Sequence, residues 1–300
     1  MYDIAIVGAG PAGLSGALMA DSVGMATCLI EADLLGGTVA KIGHVTNFLS
    51  DATTGPELVE RWERALGNSG CTLIRDHAEQ LAPVEDGWRV RLRSGKAITA
   101  GYVVVTAGNR WVRLDEHPLI AGVADGIDVI DFWPTEYERI LAAEQPLIVG
   151  SDRPLGTFVL TVAEEWATEP AIWPQVLVLP DKAYALDDVP AGVALDLLWA
   201  DEVESIRPDG GGYRIGYRHD GVGKEVWASD LIPNLGTRPR NELLDGHVAI
   251  DEGGYVSGDL PPRLFIAGDL VQLSHRRIAT AVGEGAHAVL SAYYEAGDLL

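Results

Sequence analysis

The sequence predicts an α/β protein of two Rossmann-like, three-layer domains, with the second inserted into the first. Three observations carry that expectation. The chain opens on a strand, glycine turn, helix and strand with the spacing Gly8-Ala9-Gly10-Pro11-Ala12-Gly13. A second strand followed by a glycine turn appears at 146–155. A last strand ending in a glycine and an acid, Leu264-Phe265-Ile266-Ala267-Gly268-Asp269, then returns ahead of a long helix.

Each element follows from its residues. Tyr2 to Val7 is apolar enough for a strand buried on both faces, and a small-residue helix is expected from Leu14 to Asp21. In the turn, Gly8 permits the tight bend and Gly10 leaves the backbone open to a pyrophosphate. Gly13 lets the helix pack on the strand, and the helix N-terminus offers free N–H groups to the phosphates. Thr27 to Ile30 is the next strand, ending on Glu31-Ala32, where the acid can accept hydrogen bonds from a ribose diol. Pro56 to Leu66 has helical spacing, with Leu58, Trp62 and Leu66 on one face. Cys71 to Ile74 is a third strand. Trp88 to Leu92 and Ala97 to Thr99 form a ribbon turned at Ser94-Gly95. Tyr102 to Thr106 is a buried strand leading into Ala107-Gly108-Asn109.

A looser stretch from Arg110 leads to the strand Pro146 to Val149, a helix over 155–167 and a strand from Val176 to Leu179. Strand-like runs follow at Tyr213 to Arg218 and Glu225 to Ala228. The expected domains are therefore 1–113 with 240–300, and 114–239 between them. Ile278 to Ala296 reads as an amphipathic helix whose alanines and glycines suit close packing.

Composition narrows the function classes. At 47% apolar, 300 residues can bury a large core. No apolar run is long enough for a membrane-spanning helix, and the chain enters a strand with no basic region before it, so a signal peptide is not expected. The formal charge of −22, from 44 acids against 22 bases, disfavours nucleic acid and anionic membranes as partners. Two cysteines, Cys28 and Cys71, cannot make a disulfide framework, and a cytoplasmic location is the simplest expectation. No metal-ligand pattern stands out.

Five segments in order resemble the low-molecular-weight thioredoxin reductase family of flavoproteins with two dinucleotide-binding domains. They are the Gly8 turn; Gly36-Gly37 with Asn47-Phe48; Thr54 to Leu58; Thr106-Ala107-Gly108-Asn109; and Ala267-Gly268-Asp269 followed by Arg276-Arg277-Ile278. The resemblance implies FAD in the first domain. It implies that Gly36, Gly37 and Thr38 lie against the pyrophosphate and ribitol, that Asn47 contacts the ring region and that Ala78 meets the adenine. It also implies Ala107, Gly108 and Asn109 at the flavin, Gly268 and Asp269 at the ribitol, and Arg276, Arg277 and Ile278 at the ring. Thr106, displaced by one from the family threonine, implies the loss of one hydroxyl. A homodimer is likewise implied.

The family pattern breaks twice. No cysteine follows Cys71, so the CxxC that passes electrons to thioredoxin is absent. Cys28 and Cys71 open neighbouring strands at the edge away from the cofactor and are expected to be inert. The second glycine turn reads Gly150-Ser151-Asp152, which sets a carboxylate where a pyrophosphate must approach, a repulsion on the order of several kcal/mol. The basic segment expected for a 2′-phosphate reads Pro180-Asp181-Lys182-Ala183-Tyr184-Ala185, with one lysine.

The expected function is an FAD-dependent oxidoreductase that does not use NADPH. Its redox partner is left open among a ferredoxin-like protein, a second flavin and a small molecule. A flavin-binding sensor or structural protein without turnover and an NAD(P)H-dependent, ferredoxin reductase-like enzyme are the alternatives. Catalytic residues are not specified. Lys41, His44 and His275 fall in segments that the resemblance places near the flavin, where a histidine could move protons, and Trp133 could stack on a ligand. Arg238, Arg240, Arg276 and Arg277 form a local basic patch that could serve as a docking site for a ferredoxin-like partner.

Overall fold

The computed structural model describes residues 1–130, 137–152, 155, 174–181, 195–271 and 274–297. The chain divides into two compact units, Met1–Arg110 with Arg238–Leu300, and Trp111–Thr237.

Unit 1 is built on strands β1 (Tyr2–Val7), β2 (Thr27–Glu31), β3 (Thr72–Arg75), β4 (Ala78–Val84), β5 (Gly87–Leu92) and β6 (Ala97–Val105). They lie in the order β3-β2-β1-β6-β5-β4, and a late strand, β18 (Leu264–Ile266), also pairs with β6. Residues of β1 alternate between two cores. Ile4 and Ile6 face one beneath helix α1 (Pro11–Ser22), and Ala5 and Val7 face the other, with Leu243 and Leu244. A parallel strand buried on both faces needs this unbroken apolar run, which is why β1 has no polar alternation.

Two elements differ from the sequence expectation. Helix α1 starts at Pro11 rather than Leu14, because Gly10 takes the cap position and proline presets the first helical φ. The ribbon strand and the buried strand expected after it are one strand, β6. Its first half pairs antiparallel with β5 and its second half parallel with β18. Strand β4 has no counterpart in the sequence reading. Its half-exposed, irregular pattern gives no clean period of two.

Helix α2 (Gly55–Gly67) begins with a capping box, Thr54 accepting from the Glu57 N–H, and buries Leu58, Val59 and Leu66. The last helix of unit 1, here α4 (Ile278–Ala296), packs closely on α1. A Cβ on Gly285 would lie 1.9 Å from the Ala12 carbonyl oxygen, so only glycine permits the contact.

Unit 2 repeats the plan. Strands β8 (Pro146–Val149), β9 (Gln175–Val178), β10 (Asp196–Trp199) and β14 (Asp230–Pro233) form a parallel sheet in the order β10-β9-β8-β14. That matches β3-β2-β1-β6 of unit 1. Beside it, β11 (Glu202–Asp209), β12 (Gly212–His219) and β13 (Val222–Ala228) make an antiparallel sheet, and α3 (Tyr137–Ala142) is a short helix. Strands β10, β11 and β14 were not foreseen. Two short strands, β7 (Asn109–Trp111) and β15 (Thr237–Pro239), pair where the chain passes between the units, and β16 (Ala249–Ile250) pairs with β17 (Val256–Ser257). Beyond Leu155 the helix expected over 155–167 lies outside the described residues, as do Trp133 and positions 182–185. Among the described residues no helix is long and apolar enough to cross a membrane.

Candidate functional site

The carboxyl ends of β1, β2, β6 and β18 converge beside β1, where the strand order reverses, which is where open α/β sheets hold ligands. Gly8 has a φ of +104°, and a Cβ there would meet the Thr106 carbonyl oxygen at 2.5 Å. A Cβ on Gly13 would lie 1.8 Å from the Gly8 oxygen. Gly10 differs from both. Its backbone is extended (φ −72°, ψ −174°), and no atom lies within 4 Å of an added Cβ. Gly8 and Gly13 are there for packing, whereas Gly10 faces open space.

The turn is held by side chains. Glu31 accepts from the Ala9 N–H at 2.6 Å through one carboxylate oxygen and from the Asp33 N–H at 2.8 Å through the other. The Thr106 hydroxyl lies 2.7 Å from the Gly8 carbonyl oxygen and 3.0 Å from that of Val7, strapping the turn to the end of β6. Gly36 donates to the Ala9 carbonyl at 2.8 Å, and an added Cβ on Gly37 would lie 3.6 Å from the Gly10 Cα. The two glycine segments therefore face each other. The Asp76 N–H donates to the Glu31 carbonyl at 3.0 Å, which brings the segment entering Ala78 to the end of β2.

The second half of the site gathers around Asn109. With its amide oriented to satisfy its neighbours, the Nδ2 of Asn109 donates to the Asp269 carbonyl at 3.1 Å and its Oδ1 accepts from Arg276 Nη1 at 2.6 Å. Gly268 has a φ of +78°, and its Cα sits so near α1 that an added Cβ would be 3.0 Å from the Ala12 Cβ. Its N–H donates to Glu284 Oε2 at 2.8 Å. A shallow groove is lined by Asp269, His275, Arg276, Thr280 and Glu284 among others. Burial raises the Asp269 carboxyl above its ordinary pKa, and the Arg276 guanidinium opposes part of that shift. His275 is held in the left-handed region at φ +62°, an uncommon conformation for a residue with a side chain.

The paired arginines part company. Arg276 turns inward to Asn109, while Arg277 is exposed and donates to the carbonyl of Arg276 at 2.8 Å. Ile278 is buried at the start of α4, whose cap residue makes no side-chain cap bond. Asn47, Thr38, Ala32 and His44 lie exposed on their loops, and Asn47 makes no hydrogen bond to any described residue. Lys41 ends a 3₁₀ turn, Gly37–Lys41.

Three contributors were missed by the sequence reading. Glu284 was legible as a lone acid between Gly283 and Gly285 in an otherwise apolar stretch. The Thr106 strap was hidden because its partners lie about a hundred residues away. Tyr255 is the third. It is buried at 8% exposure and its hydroxyl has no hydrogen-bond partner among the described residues, with Arg276, Asp269 and Asp251 the charges acting on it.

The turn in unit 2 occupies the same topological place. Gly150 has a φ of +89° and donates to Leu177, as Gly8 donates to Ile30. Asn234 stands where Thr106 stands in unit 1. Its N–H donates to Val149, and its Nδ2 donates to the Asp152 carbonyl at 2.7 Å. Asp152 stands two residues after Gly150, as Gly10 stands two after Gly8.

The cysteines lie at the amino ends of β2 and β3, where Cys28 pairs with Thr72, next to Cys71. Both are free thiols. Burial pushes Cys28 up to about 12 and Cys71 up to about 11.

No protein-family model matches the chain. It is 24% identical to the thioredoxin reductase of Peptoclostridium acidaminophilum over 319 residues, covering 99% of this chain and 98% of that one. It is 25% identical to the thioredoxin reductase of Streptomyces clavuligerus, over 97% and 92% of the two chains. Among solved structures, Lactococcus lactis thioredoxin reductase in its FR conformation superposes with a TM-score of 0.77 at 20% identity, over the full length of both. T. acidophilum thioredoxin reductase gives 0.74 at 21% identity, over 98% of each. Similar end to end to curated thioredoxin reductases and folded as the solved ones are, the chain is a thioredoxin reductase-like protein in sequence and in fold.

Proposed function

We propose that this protein is an FAD-dependent oxidoreductase that keeps the family's flavin site and has lost both its disulfide relay and its NADPH site. The observation that carries the reading is the contrast between two glycine turns of the same topology. Gly10 opens onto free space, whereas Asp152 sets a carboxylate at the equivalent place.

The residues of unit 1 fit FAD in kind. Glu31 and Asp269 are acceptors for the ribose and ribitol hydroxyls; Glu31 closes β2, and Asp269 sits in the 3₁₀ turn Gly268–Leu270 after β18. Gly10 and the N-terminus of α1 would hold the diphosphate, and the first N–H groups of α4 at Ile278 would face the polar edge of the ring. Gly36 and Gly37 close the opposite side. Arg276, held by Asn109, is the arginine of the site, and exposed Arg277 has no part in it. FAD supplies reversible one- and two-electron transfer. The protein supplies binding, orientation and the local field.

Loss of the relay is supported by the sequence, which has no cysteine after Cys71, and by two thiols too basic to act as thiolates. Loss of NADPH use is supported by Asp152, whose charge opposes a pyrophosphate. The reductant is then a protein carrier or a small molecule, and the assembly is a homodimer, which sedimentation velocity tests. For the central claim, purified protein carrying FAD is mixed anaerobically with NADPH in a stopped-flow instrument. Dithionite should bleach the flavin and NADPH should not. Bleaching by NADPH on the timescale of enzymatic turnover refutes the reading.

A further inference from the structure

We propose that the arginines around Asn109 form the docking surface for a small acidic electron-carrier protein. The inference rests on the flavin site proposed above and names the partner of that site. Arg240 donates from its backbone to the Gly108 carbonyl at 2.9 Å and from Nε to the Asn109 carbonyl at 3.3 Å. Arg276 reaches the Asn109 side chain at 2.6 Å, and Arg277 folds back on the Arg276 carbonyl. Arg238 lies on β15, which pairs with the strand carrying Asn109 and Arg110. Arg240 and Arg276 thus bond to Asn109, and Arg110, Arg238 and Arg277 follow on the adjoining chain and paired strand, at the edge of the Asp269 groove beside the N-terminus of α4, whose dipole has the same sign.

Clustering sets these arginines apart, since exposed Arg75 and Arg89 also lack a carboxylate partner among the described residues but stand singly. Elsewhere Arg61, Arg91, Arg113, Arg139, Arg207 and Arg218 each sit on a carboxylate. Here Glu242 lies 3.6 Å from Arg110 and Asp269 is partly buried beside Arg276. Arg238, Arg240 and Arg277 are exposed and have no carboxylate partner among the described residues. In a chain with 44 acids against 22 bases, solvent-facing arginines left without acids make a local positive field on a negative body. An acidic protein is repelled by most of the surface and attracted at this rim, so the field orients its approach toward the groove. Each docked carrier delivers one electron and leaves oxidised. Two such encounters, with one proton from solvent, reduce one flavin by two electrons.

The test uses FAD-loaded protein and photoreduced plant-type [2Fe–2S] ferredoxin as the probe, with flavin bleaching followed by stopped flow. Charge reversal by Arg238→Glu with Arg240→Glu should lower the second-order rate constant at least about tenfold at low ionic strength, and the loss should shrink in high salt. Arg238→Lys with Arg240→Lys should stay within about twofold of the parent, because the field is kept. Reduction by dithionite and FAD content should be unchanged in both variants. The proposal is overturned if ferredoxin does not reduce the parent's flavin, or if charge reversal leaves the rate unchanged. It is also overturned if reversal strips FAD, which would assign the arginines to the nucleotide, or breaks a dimer, which would make the rim a subunit interface. A parent protein that holds no FAD refutes the flavin reading itself and is seen before any ferredoxin is added.

Discussion

Replacing Gly10 by aspartate should copy the unit 2 turn into unit 1 and expel the flavin nucleotide without harming the fold. The free protein has room for the change, since an added Cβ at Gly10 meets nothing within 4 Å and the backbone is extended. Gly10 is also the N-cap of α1, a position where aspartate is favoured, so folding stability should hold or rise by a few tenths of a kcal/mol. Binding is a different matter. A carboxylate about 4–5 Å from the nearer phosphate, at an effective dielectric of about 20, is repelled by about 3–4 kcal/mol. That corresponds to a weakening of roughly two to three decades in Kd. Gly10→Ala adds bulk without charge and should cost less. The assay is flavin absorbance per chain after purification, followed by titration of stripped protein with FAD by fluorescence, with thermal melts as the folding control. A Gly10→Asp protein that folds normally and binds FAD within about tenfold of the parent would refute the reasoning, and with it the argument from Asp152.

Three further outcomes follow from the same geometry. Burial raises the Asp269 carboxyl above its ordinary 3.8, so the native state keeps a proton that the unfolded chain has already released. The stability of the flavin-free protein should therefore fall as pH rises from that ordinary value through the raised one, and Asp269→Asn should flatten this slope while weakening FAD; denaturant midpoints against pH decide it, and an unchanged slope counts against the burial argument. Tyr255→Phe deletes a buried hydroxyl without a partner and should stabilise the flavin-free protein by about 1 kcal/mol, read as a higher Tm; a lower Tm shows that the hydroxyl is satisfied. With its pKa near 12, Cys28 is thiolate in about one molecule in ten thousand at pH 8, so both cysteines should resist a disulfide reagent until the protein unfolds, and a fast-reacting native thiol contradicts that.

The first strand, its glycine turn, α1, β2, Glu31 and the long last helix were legible because each is a local pattern. An apolar run, a glycine where φ is positive or packing is tight, and an acid at a strand end all announce themselves within a few residues. The same holds for the missing CxxC and for Asp152. What failed was pairing. Strands β4, β10, β11 and β14 are short or irregular in burial, and their existence depends on neighbours far along the chain. The joining of the ribbon strand to the buried strand in β6 follows from its change of partner halfway, which no local period records.

At the site, sequence alone determined the cofactor class and which of the two nucleotide turns carries a misplaced charge, because both depend on residue type at fixed spacing. Only the tertiary structure decided that the Thr106 hydroxyl straps the glycine turn, that Arg276 bonds to Asn109 while Arg277 is exposed, and that Glu284 accepts from the Gly268 N–H and Tyr255 lies buried near the charges of Arg276 and Asp269. Those facts depend on groups brought together from opposite ends of the chain, where direction and burial, not identity, set what a side chain can bind.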